Sequence, residues 1–258
     1  LGWQGTERQW ARLEKAISVM AVIIMPLAVS VHTVVSWVFA MTLKPMWHST
    51  IFGPYFVVGA IYSGIAAVII AMWALRRALK LQTYLRPIHF NNLGLLLVTF
   101  SLLWSYFTFA EYLTTWYGGV PEEMAVFQAK LFGPLAPYFW TMVVFCVALP
   151  LPLMAFKRTR TVDGTFVASV SVIIGMWLER YVIVVGTLNY PALPFVWGRY
   201  SPTWVEISLT LGAFAYFAFL YLLFSKFFPI IAIWEYRAGR ERQAAASGAA
   251  AAELAPAD

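Results

Sequence analysis

This 258-residue chain is poor in metal ligands and in charge: it holds one cysteine, three histidines and only 12% charged residues. A lone cysteine excludes an internal iron-sulfur cluster, a cysteine zinc site and any disulfide within the chain. Cys146 itself lies in an apolar run and reads as a small buried hydrophobe. His32, His48 and His89 fall in three separate segments, so no two of them are expected to face one haem from adjacent helices at one depth. A glycine-rich phosphate loop and a nucleophile elbow are also missing. If redox chemistry takes place, its metal centres belong to a partner.

What the chain has instead is apolar length. With 61% hydrophobic residues and a mean hydropathy of +0.73, it reads as an integral membrane protein. The apolar stretches are long and continuous, which suits helices and not the short alternating strands of a barrel. The expected fold is therefore an all-α polytopic bundle with about six spans, near 16–43, 54–79, 87–117, 134–156, 162–188 and 203–234. Several exceed the roughly 20 residues that a span requires, which implies tilt or protrusion. Turn chemistry marks the breaks: Lys44-Pro45, Gly53-Pro54, Gly118-Gly119 with Pro121, Gly133-Pro134, and Pro191 to Pro202.

Basic residues set the expected orientation. Of 18 Lys and Arg, 14 fall before span one, between spans two and three, between spans four and five, or at and beyond the end of span six. Lys44, Lys130 and Arg199 occupy the opposite loops, and Arg180 lies within a span. The positive-inside rule then puts both termini in the cytoplasm, and the net charge of +6 is a topology signal beside anionic lipid, with no nucleic-acid partner implied. The organisation expected is a cytoplasmic segment 1–15, a transmembrane domain 16–236 and a disordered, alanine-rich cytoplasmic tail 237–258. The opening Leu1-Gly2-Trp3 has neither an initiator Met nor a signal pattern, as expected of a piece of a longer polypeptide.

Against this background five ionisable residues stand out. His32, Glu111, Glu179, Arg180 and Glu206 are expected at one depth, toward the outer ends of four helices, where such groups are expensive and usually mark a ligand or proton site. His32 shares a helical face with Ser36, a strip expected to face the bundle interior. Its unperturbed pKa, near 6.5, suits a proton acceptor; a core histidine bonded to a neighbouring helix is the structural alternative. Trp104, Thr108, Glu111 and Thr115 fall on one face of the third span, while Tyr112, Trp116 and Tyr117 read as interfacial belt residues. Neighbours on a helix point about 100° apart, so Glu179 and Arg180 read either as a proton site or as ion partners of other helices. Thr203-Trp204-Val205-Glu206 also fits a capping box, and Asp163 a first-turn partner of the helix dipole.

The run His32-Thr33-Val34-Val35-Ser36-Trp37, followed by Pro45 to Phe56, resembles the NrfD-like membrane subunits of polysulfide-reductase type, and most closely the ActC subunits of alternative complex III. Phe109 to Thr114 with Trp116-Tyr117-Gly118, Glu179-Arg180-Tyr181 and Pro202 to Glu206 carry the same resemblance, which covers about 30–235. The resemblance implies a multisubunit quinol oxidoreductase of the bacterial inner membrane. Menaquinol would bind near the outer face and pass electrons to an iron-sulfur subunit there, beside a homologous membrane subunit and cytochrome c subunits. Proton translocation is open to such a complex. His32 matches the family's quinol-site histidine; Glu111 and Arg180 carry over as motif members. ActC-like subunits have more spans than six, in two four-helix bundles with peripheral helices, so an N-terminal part would lie outside this chain.

Quinol oxidation releases two protons and two electrons, so the site needs a base, hydrogen-bonding groups, an apolar slot and an electron acceptor. His32 with Ser36 would take a proton, Glu111 or Glu179 would relay it, and Arg180 would hold a carboxylate ionised; the acceptor would come from the partner. Two other classes fit the composition. A proton-coupled transporter would favour broken helices about a midplane site and paired inverted repeats, neither of which is visible, and an ActF-like anchor would share the fold without binding quinol. The purified chain is expected to carry no haem or iron-sulfur cluster of its own; a stoichiometric haem band in its optical spectrum would contradict this.

Overall fold

The computed structural model describes residues 4–191, 196–198, 200–228 and 239. These form eight α-helices: α1 (Glu7–Ala40), α2 (Phe52–Ala78), α3 (Pro87–Gly118), α4 (Pro121–Leu131), α5 (Ala136–Val143), α6 (Pro150–Ala155), α7 (Val162–Leu188) and α8 (Trp204–Phe227). A π-helical segment, Val144–Ala148, joins α5 to α6 into one span, so that six helices are long and apolar enough to cross a membrane. The expected all-α, six-span architecture is what the chain adopts.

The helices also cover residues outside the expected spans. The segment between the Gly118-Gly119 and Gly133-Pro134 breaks is not loop but helix α4, started by Pro121 at a position where a missing N–H costs nothing. The first helix begins at Glu7, so Arg8, Arg12 and Lys15 ride on its opening turns and no break separates 1–15 from the span. The chain also divides into two compact units, 1–199 and 200–258. The tail from 237, apart from Gly239, and the end of the sixth stretch beyond 228 lie outside the described residues.

In the first unit α2, α3 and α7 pack against one another, the α5–α6 span closes on α3 and α7, and α1 touches α2 alone among the helices. Residues spaced three and four apart on α7, from Thr165 through Ala168, Val172, Gly175 and Met176 to Glu179 and Val182, are all buried, as a stripe facing neighbours on several sides should be.

The fourth span explains its own irregularity. Pro150 has no N–H to give the carbonyl of Cys146 four residues back, and the ladder slips to a five-residue step, with Leu149 N–H donating to Val144 O at 2.9 Å. In hydrocarbon the freed carbonyls must find other donors. Tyr62 OH (2.7 Å) and Ser101 Oγ (3.1 Å) donate to Cys146 O, and Ser171 Oγ donates to Phe145 O at 2.7 Å. Three helices are thus tied to one bulge. Gly175 admits it, since a Cβ there would stand 2.5 Å from Cys146 Sγ and 3.0 Å from its backbone nitrogen.

Antiparallel packing gathers the basic loops of this unit at one end. There Arg77 pairs with Asp163 at 3.0 Å, Arg76 donates to Leu85 O, and Arg160 donates to Asn91 Oδ1 and Met154 O. Asp163 also accepts from Trp73 Nε1 at 2.8 Å, so it joins two helices as well as opening α7. The opposite end carries the 41–51 loop and α4.

The second unit is described through α8. Glu206 accepts from Thr203 N at 2.6 Å and from Thr203 Oγ1 at 2.9 Å, which is the capping role and accounts for this carboxylate without a ligand.

Gly175→Val should overpack the α7 crossing and cost about 1–3 kcal/mol, read as a lower thermal midpoint in detergent. Gly64→Ala, at a helical position with nothing within 4 Å, should be neutral or slightly stabilising, by at most about 1 kcal/mol. Equal effects at both positions would contradict the close packing at Gly175.

Candidate functional site

Glu179 is the most deeply buried charged side chain among the described residues, at 1% exposed. A carboxylate in such a place requires donors. Trp104 Nε1 of α3 supplies a hydrogen bond of 2.6 Å to Oε1, and Arg180 Nη1 stands 3.3 Å from Oε2. The expectation that Glu179 and Arg180 find their ion partners on other helices is corrected by this pairing. The long guanidinium stem curls back over its neighbour, and its head lies 4.6 Å from the centre of the Phe56 ring of α2. Gly59 leaves the room: a Cβ there would stand 3.2 Å from Arg180 Nη2 and 3.0 Å from Met176 Cε. Oε2 makes no hydrogen bond of good geometry. Tyr55 of α2, itself buried, lies beside both Glu179 and Thr108.

Toward the loop end the stripe expected on α3 is present, with Trp104, Thr108, Glu111 and Thr115 all buried. Glu111 accepts a 2.5 Å hydrogen bond from Ser49 Oγ. It borders two cavities. The inner one, about 30 Å³, is lined by Met46, Trp47, Phe52, Tyr55, Thr108, Glu111, Tyr112, Lys130 and Ile183. The outer one, about 380 Å³, includes Ser49, His48, Glu123 and Thr115 in its wall. His48 Nε2 and Glu123 Oε1 meet there at 2.8 Å.

Sequence pattern marks Lys130 only as a loop charge. It is 4% exposed, near the end of α4, and its one close polar contact is Met46 Sδ at 3.7 Å. Burial pushes its amine down from 10.5 to about 8, with Glu111 pulling the other way. No short-range pattern finds it, because α4 itself is hidden between two turn signals.

His32 is the expected site residue that the bundle does not enclose. Ser36 is fully buried against α2, yet His32 is exposed. An offset of four residues turns the helix 40° past a full circle, and within the first unit α1 has only the α2 contact, so its buried strip is too narrow to include both. His32 Nδ1 lies 2.8 Å from Ala28 O. A carbonyl only accepts, so Nδ1 donates to it and Nε2 is left without a partner on its own helix. Thr33, one residue on, packs at Gly53, and Gly53 precedes Gly59 and its Arg180 contact by six residues on α2. His32 therefore belongs to the same end of the bundle as Glu179 and Glu111. Among the described residues no three His, Cys, Asp or Glu side chains converge as metal ligands.

The buried amine makes a stability prediction. Its pKa is lower when folded, so the unfolded chain binds more protons between about pH 8 and the free value near 10.4, and stability rises with pH across that window. Relative to Lys130→Met, the wild-type thermal midpoint should climb from pH 8 to 10, by an amount equivalent to at most roughly 3 kcal/mol. Parallel profiles would show that the amine is solvated.

Comparison with known proteins gives a consistent picture. The family model for polysulphide reductase, NrfD, matches residues 3–192. The integral membrane subunit of menaquinone reductase from Nitratidesulfovibrio vulgaris is 25% identical over 145 residues, 54% of this chain and 34% of that protein. A Halobacterium salinarum protein, named for the membrane component of a dimethyl sulfoxide reductase, is 26% identical over 232 residues, 81% of this chain and 53% of its own length. The integral membrane subunit of an Hdr-like menaquinol oxidoreductase from Archaeoglobus fulgidus is 26% identical over 155 residues, 58% of this chain and 38% of that relative. The chain thus spans between a third and about half of the length of these curated relatives. With a match over most of its residues and the six-span helical fold to go with it, the chain belongs to the NrfD family of polysulphide-reductase-type membrane proteins.

Proposed function

We propose that this chain is the quinone-handling membrane subunit of a multisubunit oxidoreductase, in which menaquinol is oxidised at the 41–51 loop end and its electrons pass to an iron-sulfur subunit docked there. The observation that carries the reading is the imidazole of His32. It lies within an apolar span, on an exposed flank, with its basic Nε2 not engaged by its own helix. A lipophilic quinol arriving through the bilayer can donate a hydroxyl proton to that nitrogen without entering the bundle. Names of two relatives, a menaquinone reductase and a menaquinol oxidoreductase, support the substrate class.

The remaining expected residues then take supporting roles. Ser36 packs near Gly53 of α2, its hydroxyl donating within α1 to Thr33 O at 2.6 Å. Glu179, charge-balanced by Arg180, and Glu111, beside the outer pocket, carry protons toward the loop end. The clustering of basic loops at the other end supports an orientation with both that end and the N-terminus cytoplasmic, which sends the protons outward. Within this reading an ActC-like, quinol-binding role is favoured over an ActF-like anchor by the same His32. A proton-coupled transporter is disfavoured because the π segment, the one break within a span among the described residues, has its freed Phe145 and Cys146 carbonyls bonded to protein and none turned toward a central site.

His32→Ala should lower quinol-dependent electron transfer per assembled complex by about 10²–10⁴, while the same change at His89, exposed at the basic end, leaves it near wild type. Equal, near-normal rates in both variants would remove His32 from the site.

A further inference from the structure

Lys130 occupies a position that packing alone does not explain. A buried ammonium has three N–H donors, and the protein offers it one thioether, a weak acceptor. The thioether is brought there by a backbone held at φ 62° at Met46, a left-handed conformation uncommon for a bulky side chain and found where surrounding structure compels it. The lysine stem lies against Gly186 of α7, where a Cβ would stand 2.9 Å from Cε. Lys130 lines the 30 Å³ cavity together with Met46, Glu111, Tyr55 and Thr108. That volume exceeds the roughly 10–15 Å³ one water requires, and the wall has the two to four polar partners that hold it.

We propose that Lys130 is a positioning residue of the proton exit: its ammonium, through water held in this cavity, faces Glu111 and ties that carboxylate into a polar file running from Glu179 past Tyr55 and Thr108 to the outer pocket. The inference rests on the proton-relay reading above and adds to it the site of transfer. Glu111 accepts a proton from cavity water and gives one to water in the outer pocket, one O–H bond forming as another breaks. Lys130 keeps its own proton throughout. The titratable groups around the amine are Glu111 and Tyr112 from α3 and Tyr55 from α2; α7 presents Ile183 and Gly186, and the loop presents Met46 and Trp47. His48 and Glu123 act on Glu111 from the outer side. An amine lowered to about 8 is charged at neutral pH and loses its charge just above it.

The test uses the intact complex, a soluble menaquinol analogue as reductant, and turnover per assembled complex from pH 6 to 10. Wild type should lose rate as pH rises through about 8. Lys130→Arg, whose charge persists, should keep the rate and move that fall upward by a unit or more. Lys130→Met should be slower by about tenfold or more at pH 7 and show no fall near 8. A Lys130→Met complex with the wild-type rate and profile would overturn the proposal; should this variant not assemble, an unmoved fall in Lys130→Arg would do the same. If the wild-type complex oxidises no quinol, the functional reading fails and a density map decides the inference: ordered water between Lys130 Nζ and Glu111 supports it, and a dry cavity overturns it.

Discussion

The structure is organised around a carboxylate enclosed by protein, that of Glu179. Glu179 sits where α2, α3 and α7 cross, and a charge in that place is tolerable only if each neighbouring helix adapts to it. Trp104 turns its indole N–H inward from α3, Gly59 on α2 gives up its side chain so that Arg180 can reach back, and Phe56 offers its ring face to the guanidinium. Removing any one of these leaves a buried group without its counterpart, a loss larger than that of an exposed ion pair.

A second constraint, backbone satisfaction in hydrocarbon, acts on the fourth span. There Pro150 breaks the ladder and the hydroxyls of Tyr62, Ser101 and Ser171 repair it. The two constraints meet on α7, which carries Ser171, Gly175, Met176 and Glu179 within little more than two turns. The loop end holds two cavities, the His48–Glu123 pair and the buried amine of Lys130.

Much of this is legible in the residues. Spans three and five are bounded to within a residue by Pro87, Gly118 and the Thr161-Val162 start, because helix entry and exit have local chemistry. The face holding Trp104, Thr108, Glu111 and Thr115 follows from helical periodicity. What escapes depends on tertiary contact. Whether His32 accompanies Ser36 into the interior turns on how many helices touch α1, and pattern does not encode that number. The meeting of Glu179 with Arg180 depends on side-chain length overcoming a 100° offset. Lys130 is buried because α4 folds under the 41–51 loop, and its two flanking turn signals read equally well as one long loop. Cys146 is buried, as its apolar run suggests, yet it is its carbonyl, not its thiol, that ties α2 and α3 to the bulge.

The central claim is that quinol is handled at the loop end, on the flank that carries His32. A photoreactive menaquinone analogue, activated in membranes holding the intact complex and mapped by peptide mass spectrometry, tests it most directly. The account predicts label confined to α1 between about Ala28 and Phe39 and the facing turns of α2 between Phe52 and Ser63, lost when excess menaquinol competes. Label concentrated at the basic end, around Arg86–Phe90 or Arg160–Thr165, or label that menaquinol does not displace, would contradict it.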